Sequence, residues 1–82
     1  MKCKVVTPNK LIFEGDVSYV NIPSSKGGMG ILPGHAPIVT ILGKGVLQIK
    51  NNNETSEFNV EGGLAEVRSN EISILANKVD KI

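Results

Sequence analysis

Apolar residues along this chain fall into short runs, and none keeps the spacing of an amphipathic helix. The first run covers Lys2 to Val6, with Cys3 and Val5 on one face, and Thr7-Pro8-Asn9-Lys10 turns the chain. Leu11 to Phe13 follows, ended by Glu14-Gly15-Asp16. In Val17 to Ile22 the apolar parity switches between Tyr19 and Val20, which predicts a bulge or twist within one strand. Pro23 to Gly30 predicts an exposed loop passing into a very short strand. Two prolines around Gly34-His35-Ala36 exclude helix and regular sheet there. Ile38 to Leu42 and Val46 to Lys50 are further strands, separated by Gly43-Lys44-Gly45. Asn51-Asn52-Asn53 is a hairpin tip. Glu54 to Val60 is its partner, Glu61-Gly62-Gly63 bends the chain into Leu64 to Arg68, and Ser69-Asn70 turns it into Glu71 to Ala76. Ile72, Ile74 and Ala76 share one face of that last run. The pattern predicts an all-β fold, a flattened sandwich or barrel of about ten short strands in two mostly antiparallel sheets.

Composition narrows the chemistry. With 82 residues the chain suffices for one domain, expected over residues 1–82. Only Phe13, Tyr19 and Phe58 are aromatic, so the core must be built from Val, Ile and Leu. A formal net charge of +1 supplies no field for nucleic acid or an anionic membrane, and three scattered aromatics make no stacking platform. Cys3 is the single cysteine, which excludes an internal disulfide and a thiolate zinc cluster and fits a reducing compartment. The N-terminal stretch is too polar for a signal peptide, and no apolar run approaches a membrane span. A cytosolic protein follows by default, with membrane association only through a partner.

Few side chains carry candidate chemistry. His35 is the only histidine, and no cysteine or carboxylate stands near it at ligand spacing. A general base needs an orienting partner, so a rigid contact residue is the better reading. Gly27-Gly28-Met29-Gly30 lacks both the Walker pattern and the spacing of a dinucleotide fingerprint, and no helix follows to hold an anion. The acidic residues fall mostly at turns or on polar parities, as on a solvated face. Ile38-Val39-Thr40-Ile41-Leu42 is apolar on both parities: either both faces are covered, or one awaits a partner. No active site emerges, and no cofactor or metal is expected.

In order, these segments resemble the N-terminal β-sandwich domain of the ATP synthase epsilon subunit. The most specific part is Gly28-Met29-Gly30-Ile31-Leu32-Pro33-Gly34-His35-Ala36-Pro37. Val5-Val6-Thr7-Pro8, Phe13-Glu14-Gly15-Asp16-Val17, Gly45-Val46-Leu47, Val60-Glu61-Gly62-Gly63 and Ile74-Leu75-Ala76 support it. The resemblance implies a sandwich of two sheets in the central stalk of a proton-translocating rotary ATP synthase. It implies docking on the gamma subunit and on the ring of c subunits, a non-catalytic part in coupling proton flow to ATP synthesis, and a peripheral place at the cytoplasmic face of the inner (plasma) membrane.

Matched positions imply a gamma-facing surface at Thr7, His35 and Thr40, and a ring-facing loop of Ser25, Lys26, Gly27, Gly28, Met29, Gly30 and Ile31. Two departures stand out. Many family members carry acids in that loop, where this chain has Lys26 and Gly28, so charge pairing to the ring does not carry over. The family's C-terminal helical hairpin is absent from residues 1–82, and its regulatory and ATP-binding roles are not expected here. A biotinyl or lipoyl carrier domain is the competing reading, since it too is a small all-β domain. It needs a modifiable lysine at a hairpin tip, usually beside Met. Lys44 has no flanking Met, and Lys26 is separated from Met29 by two glycines. A small hydrolase, with one His and one Cys far apart in sequence, rests on nothing positive.

Overall fold

Side-chain alternation accounts for most of the architecture. In the computed structural model, which describes residues 1–82 throughout, the strands are β1 (Lys2–Val6), β2 (Leu11–Asp16), β3 (Tyr19–Ser24), β4 (Gly27–Ile31), β5 (Ile38–Ile41), β6 (Lys44–Asn51), β7 (Glu54–Arg68) and β8 (Glu71–Lys81). No helix forms. Hydrogen bonds link the strands in the order β2-β1-β8-β7-β6-β3-β4, with β5 added on β7. Every pairing is antiparallel except β1 with β8.

The two longest strands turn this single path into two layers. β7 has 15 residues and β8 has 11. Their register runs from Glu61–Lys78 to Gly63–Ala76, leaving Gly62 and Asn77 out of the ladder. Gly62 and Gly63 take φ of 66° and 122°, a region that side-chain-bearing residues rarely enter. Before this bend β7 pairs with β6; after it, β7 pairs with β5. One layer is therefore β2, β1 and the first half of β8, with the second half of β7 and β5. The other is the second half of β8, the first half of β7, then β6, β3 and β4. Counting the halves of β7 and β8 separately turns the eight strands into the ten expected.

A single apolar cluster fills the space between the layers. Val5, Ala65, Val67, Ile72 and Ile74 point in from one layer, and Val20, Ile22, Leu47, Ile49 and Phe58 from the other. Each fully buried Val or Ile contributes about 1.5–3 kcal/mol relative to exposure, so a small core made mostly of aliphatics, with Phe58 its one buried aromatic, suffices.

Three strand ends move outward: β2 runs through Glu14 and Gly15 to Asp16, β6 starts at Lys44 inside the expected Gly43-Lys44-Gly45 turn, and β8 runs past Ala76 to Lys81, because backbone pairing to a neighbour continues where the apolar pattern stops. Two segments also change. The parity switch near Tyr19 is not a bulge within one strand. Val17 lies between β2 and β3, buried, and its N–H donates to the Met1 carbonyl at 2.7 Å. It serves the core from a connection, so the parity of β3 starts afresh at Tyr19. Pro23 to Gly30 is also not a loop. It completes β3, turns tightly at Ser25-Lys26, and returns as β4 in register from Val20–Ile31 to Ser24–Gly27. The half of the segment rich in glycine pairs as a strand because its outer positions need no side chain: Tyr19 lies over Gly30, where an added Cβ would sit 2.9 Å from the phenol oxygen.

Candidate functional site

The outer face of the β2-β1-β8-β7-β5 layer carries an unusual row. Across neighbouring strands the register places Val6 beside Leu75, Leu75 beside Leu64, and Leu64 beside Ile41. Leu75, Leu64 and Ile41 are 47%, 44% and 62% exposed. At a strand spacing near 4.8 Å the row crosses about 14 Å of surface. A single exposed leucine is ordinary, but aliphatic side chains in adjacent register on four strands make a contiguous apolar patch. Val39, 58% exposed, extends it along β5. The neighbouring row, Glu66, Ser73 and Lys4, is polar, and together these side chains border a shallow groove lined also by Val6, Leu64 and Leu75.

The open question about Ile38 to Leu42 is answered by parity. Ile38 packs against the core, Leu42 is buried, and Val39 and Ile41 face out. One face of β5 is covered and the other is bare. β5 is also an edge strand, bonded only to β7 in the ladder.

The residues expected to face gamma do not form one cluster. Thr7 follows Val6 at one end of the row and shapes the turn after β1. Its Oγ1 accepts from the N–H groups of Asn9 and Lys10 at 3.3 and 3.2 Å. Thr40 precedes Ile41 at the other end, half-buried and opposite buried Ala65, so it sits at the lip rather than on the bare face. His35 lies apart, in the turn that carries the chain from β4 to β5. Its N–H donates to the Leu32 carbonyl at 3.1 Å and its Nδ1–H donates to the Ala36 carbonyl at 2.7 Å. The ring is half-buried and held by its own turn.

Sequence reasoning passed over Leu64 and Leu75. A signal was present. Ile72, Ile74 and Ala76 define the inward parity of β8, and Ala65 and Val67 that of β7. Leucine on the opposite parity of two paired strands is out of place unless that face meets something apolar.

The segment Ser25 to Ile31 forms the tip of the β3–β4 hairpin and all of β4. The Ser24 hydroxyl donates to the Gly27 carbonyl and accepts from the Lys26 N–H, locking the tip. Ser25 N–H donates to the Ile41 carbonyl at 2.9 Å, so the tip abuts the end of the aliphatic row.

Cys3 is buried, and burial pushes its thiol up to about 12, which keeps it protonated and unreactive. Of the two lysines that a carrier domain could use, Lys44 begins β6 and is not at a hairpin tip, whereas Lys26 is at the β3–β4 tip with Met29 two glycines away on β4. The one ion pair, Glu66–Arg68 at 3.1 Å, is on the surface.

Comparisons with known proteins agree with this architecture. Residues 1–81 match the family described as ATP synthase, Delta/Epsilon chain, beta-sandwich domain. An ATP synthase epsilon chain of Leptospira interrogans is 42% identical over 77 residues, covering 94% of this chain and 61% of that protein. One from Pelotomaculum thermopropionicum is 38% identical over 80 residues, covering 98% of this chain and 60% of its own length. This chain therefore spans about three fifths of these relatives. Among solved structures, a chain of the Euglena gracilis mitochondrial ATP synthase (OSCP/F1/c-ring) superposes with a TM-score of 0.90 at 22% identity, covering 96% of this chain and 51% of that one. A chain of the Tetrahymena thermophila mitochondrial ATP synthase (central stalk/c-ring) gives 0.82 at 20% identity, covering 96% and 64%. At these identities the structural likeness speaks for the fold.

Proposed function

Because this chain belongs to the β-sandwich family of ATP synthase delta/epsilon chains, we propose that it is a central-stalk subunit of an F-type ATP synthase. It docks on the gamma subunit and the c-ring, turns with them, and helps couple proton flow to ATP synthesis. It performs no catalysis itself. It is peripheral, held through the complex at the cytoplasmic face of the inner (plasma) membrane.

The observation that carries this reading is the aliphatic row Val6, Leu75, Leu64 and Ile41, with the polar row Lys4, Ser73 and Glu66 beside it. A coupling subunit must transmit torque through a fixed interface, and a rigid sheet face with an apolar centre and polar rim has the anatomy of one. Gamma is the occupant of that face. His35, fixed in its proline-flanked turn, adds a contact at little entropic cost. The hairpin tip next to Ile41 meets the ring. The curated relatives are epsilon chains, and the two structural neighbours come from assemblies described with a central stalk or c-ring, which supports the same assignment.

The test is a titration of this chain against gamma subunit from the same source. Saturable one-to-one binding is expected, weakened about tenfold or more by Leu64→Asp and by His35→Glu, with circular dichroism unchanged. Wild-type chain that fails to bind gamma at low and moderate salt would sink the stalk role. Full-strength binding by both variants would move the gamma-facing surface elsewhere.

A further inference from the structure

The register that aligns the aliphatic row also aligns charges on the same outer face. At the far end of that face Asp16 pairs with Lys2, Lys2 with Glu71, and Glu71 with Arg68, so the sign alternates across four adjacent strands. All four side chains are exposed, while their neighbours along the strands, Cys3, Ile72 and Val67, are buried. Opposite charges across a ladder commonly pair, yet none of these four bridges to the next strand. Arg68 instead holds Glu66 on its own strand through two contacts of 3.1 Å. Asp16, Lys2 and Glu71 keep their charges free.

At the near end the aliphatic row reaches a fifth strand. Val6 registers with Leu11 of β2, which is 51% exposed. Between the two rows stand Glu14, Lys4, Ser73 and Glu66. Five strands and about five residues along each give a footprint of roughly 400 Å².

This face is complementary to itself. Read from its other side, the order of signs in the charged row is reversed. A two-fold axis lying in the face, parallel to the strands and between β1 and β8, sets Asp16 against Arg68 of a second copy and Lys2 against its Glu71. Symmetry repeats both pairs. The same axis lays Leu11 over Leu64 of the second copy and Val6 over its Leu75. Glu14 comes opposite Glu66, but each has a cation of its own chain beside it: Lys4 in register with Glu14, and Arg68 bonded to Glu66.

We propose that, in the absence of gamma, this face pairs with the same face of a second copy of the chain. The result is a two-fold dimer in which Lys2–Glu71 and Asp16–Arg68 contacts fix the register of the aliphatic rows. Two footprints of this size make less than a standard interface, so the dimer is weak and exchanges readily. It stands on the geometry of this chain alone; its competition with gamma for Leu64 and Leu75 rests on the stalk reading above. A subunit waiting for gamma thereby keeps its apolar row covered, and docking on gamma requires the pair to separate.

Sedimentation velocity of the chain alone, from about 5 to 500 μM, tests the dimer. Wild-type mass should rise from monomer toward dimer and no further, with a dissociation constant that increases several-fold between about 50 and 500 mM salt. Lys2→Glu and Glu71→Lys should each weaken the dimer about tenfold or more, because each brings like charges together across the axis. Combining the two restores opposite charges there, so affinity should return to within about threefold of wild type. Leu64→Asp should leave only monomer. Circular dichroism should be unchanged in every variant. Gamma added at equal concentration should convert the dimer into a one-to-one complex. A wild-type chain that stays monomeric throughout overturns the inference, and if that chain binds gamma the stalk reading stands. A dimer indifferent to the single charge reversals, or not restored by their combination, overturns the inference as well. So does an assembly of two copies with two gamma subunits, since the face would then not be shared. A salt-sensitive dimer that the combined variant restores but that never yields to gamma overturns the stalk reading and leaves the dimer standing.

Discussion

The two outer faces of the sandwich are built by the same alternation and differ in chemistry. On the β6 side the outward positions are Lys44, Val46, Gln48 and Lys50, facing Glu61, Asn59, Glu57 and Thr55 across the ladder to β7. Gln48 Nε2–H donates to Glu57 at 3.2 Å. Val46 is an isolated aliphatic there, with Asn59 beside it and Asp80 one strand further. On the β5 side the outward register reads Val6, Leu75, Leu64 and Ile41. Both faces meet solvent in the isolated chain, so folding alone does not explain why one of them is apolar. Exposed leucines on adjacent strands add aggregation risk without adding to the core. On the proposed stalk reading, the difference separates positions chosen by the fold from positions chosen by a partner.

Neighbouring residues on β8 give the largest test of that separation. Ile74 is 1% exposed and packs in the core. Ile74→Asp leaves an unpaired charge there, at a cost of several kcal/mol, comparable with the whole stability of a small domain. Loss of the β-sheet circular dichroism signal and of dispersed amide resonances is expected. A folded Ile74→Asp protein would mean that the two layers do not close on Ile74. Next in size is the bend that sets the faces back to back. Gly63 has φ of 122°, and a Cβ there would collide with the Leu75 carbonyl oxygen. Gly63→Ala should cost roughly 3 kcal/mol or more, read as a lowered urea midpoint with an unchanged slope. A midpoint within error of wild type would show that the bend does not depend on this glycine.

One residue further along β8 from Ile74 the expectation inverts. Leu75 is 47% exposed. Leu75→Asp should cost only about 1 kcal/mol of stability, through lower strand preference. It should weaken gamma binding about thirtyfold, the loss typical of a central interface residue. Isothermal titration beside chemical denaturation measures both quantities on one sample. Equal losses of stability and binding would remove the distinction between the inner and outer faces of β8.

Much of the fold was legible in the sequence because alternation is a strong local signal. The run at Lys2 to Val6, the start of the last strand at Glu71, the Thr7–Lys10 turn and the Asn52 hairpin tip appear where patterning puts them, whereas the last strand runs on past Ala76 to Lys81. The doubled glycine at 62–63 marked a bend, although patterning alone does not say that β7 continues through it. Legibility failed where a residue serves the core without belonging to a strand, as Val17 does, and where a strand has almost no side chains to pattern, as in β4. The apolar row was only partly legible, for a different reason: the two-sided run Ile38 to Leu42 marked the Ile41 end, but its extension across the sheet was not marked. Val6, Ile41, Leu64 and Leu75 come from four separate strands, and only the register brings them together. A pattern read along the chain registers Val6, Leu64 and Leu75 each as one aliphatic out of phase, and one such residue carries little information. The epsilon-like motif pointed to His35 and the hairpin, which are continuous in sequence, and not to Leu64 or Leu75, which are assembled by folding.

The finest test asks whether an aliphatic on the polar face matters at all. Val46 is 39% exposed and Leu64 is 44% exposed, so solvent reaches the two to nearly the same degree. Their surroundings differ: Val46 registers with Asn59, whereas Leu64 registers with Ile41 and Leu75. Threonine preserves strand preference at both sites while removing apolar surface, so the pair of substitutions isolates the neighbourhood from the residue. Val46→Thr should leave gamma affinity within about twofold of wild type and stability within about 0.5 kcal/mol. Leu64→Thr should leave stability similarly close and lower gamma affinity several-fold, because it interrupts the row at its centre. If Val46→Thr weakens gamma binding as much as Leu64→Thr does, exposure rather than contiguity governs docking, and the β6 face belongs to the interface as well.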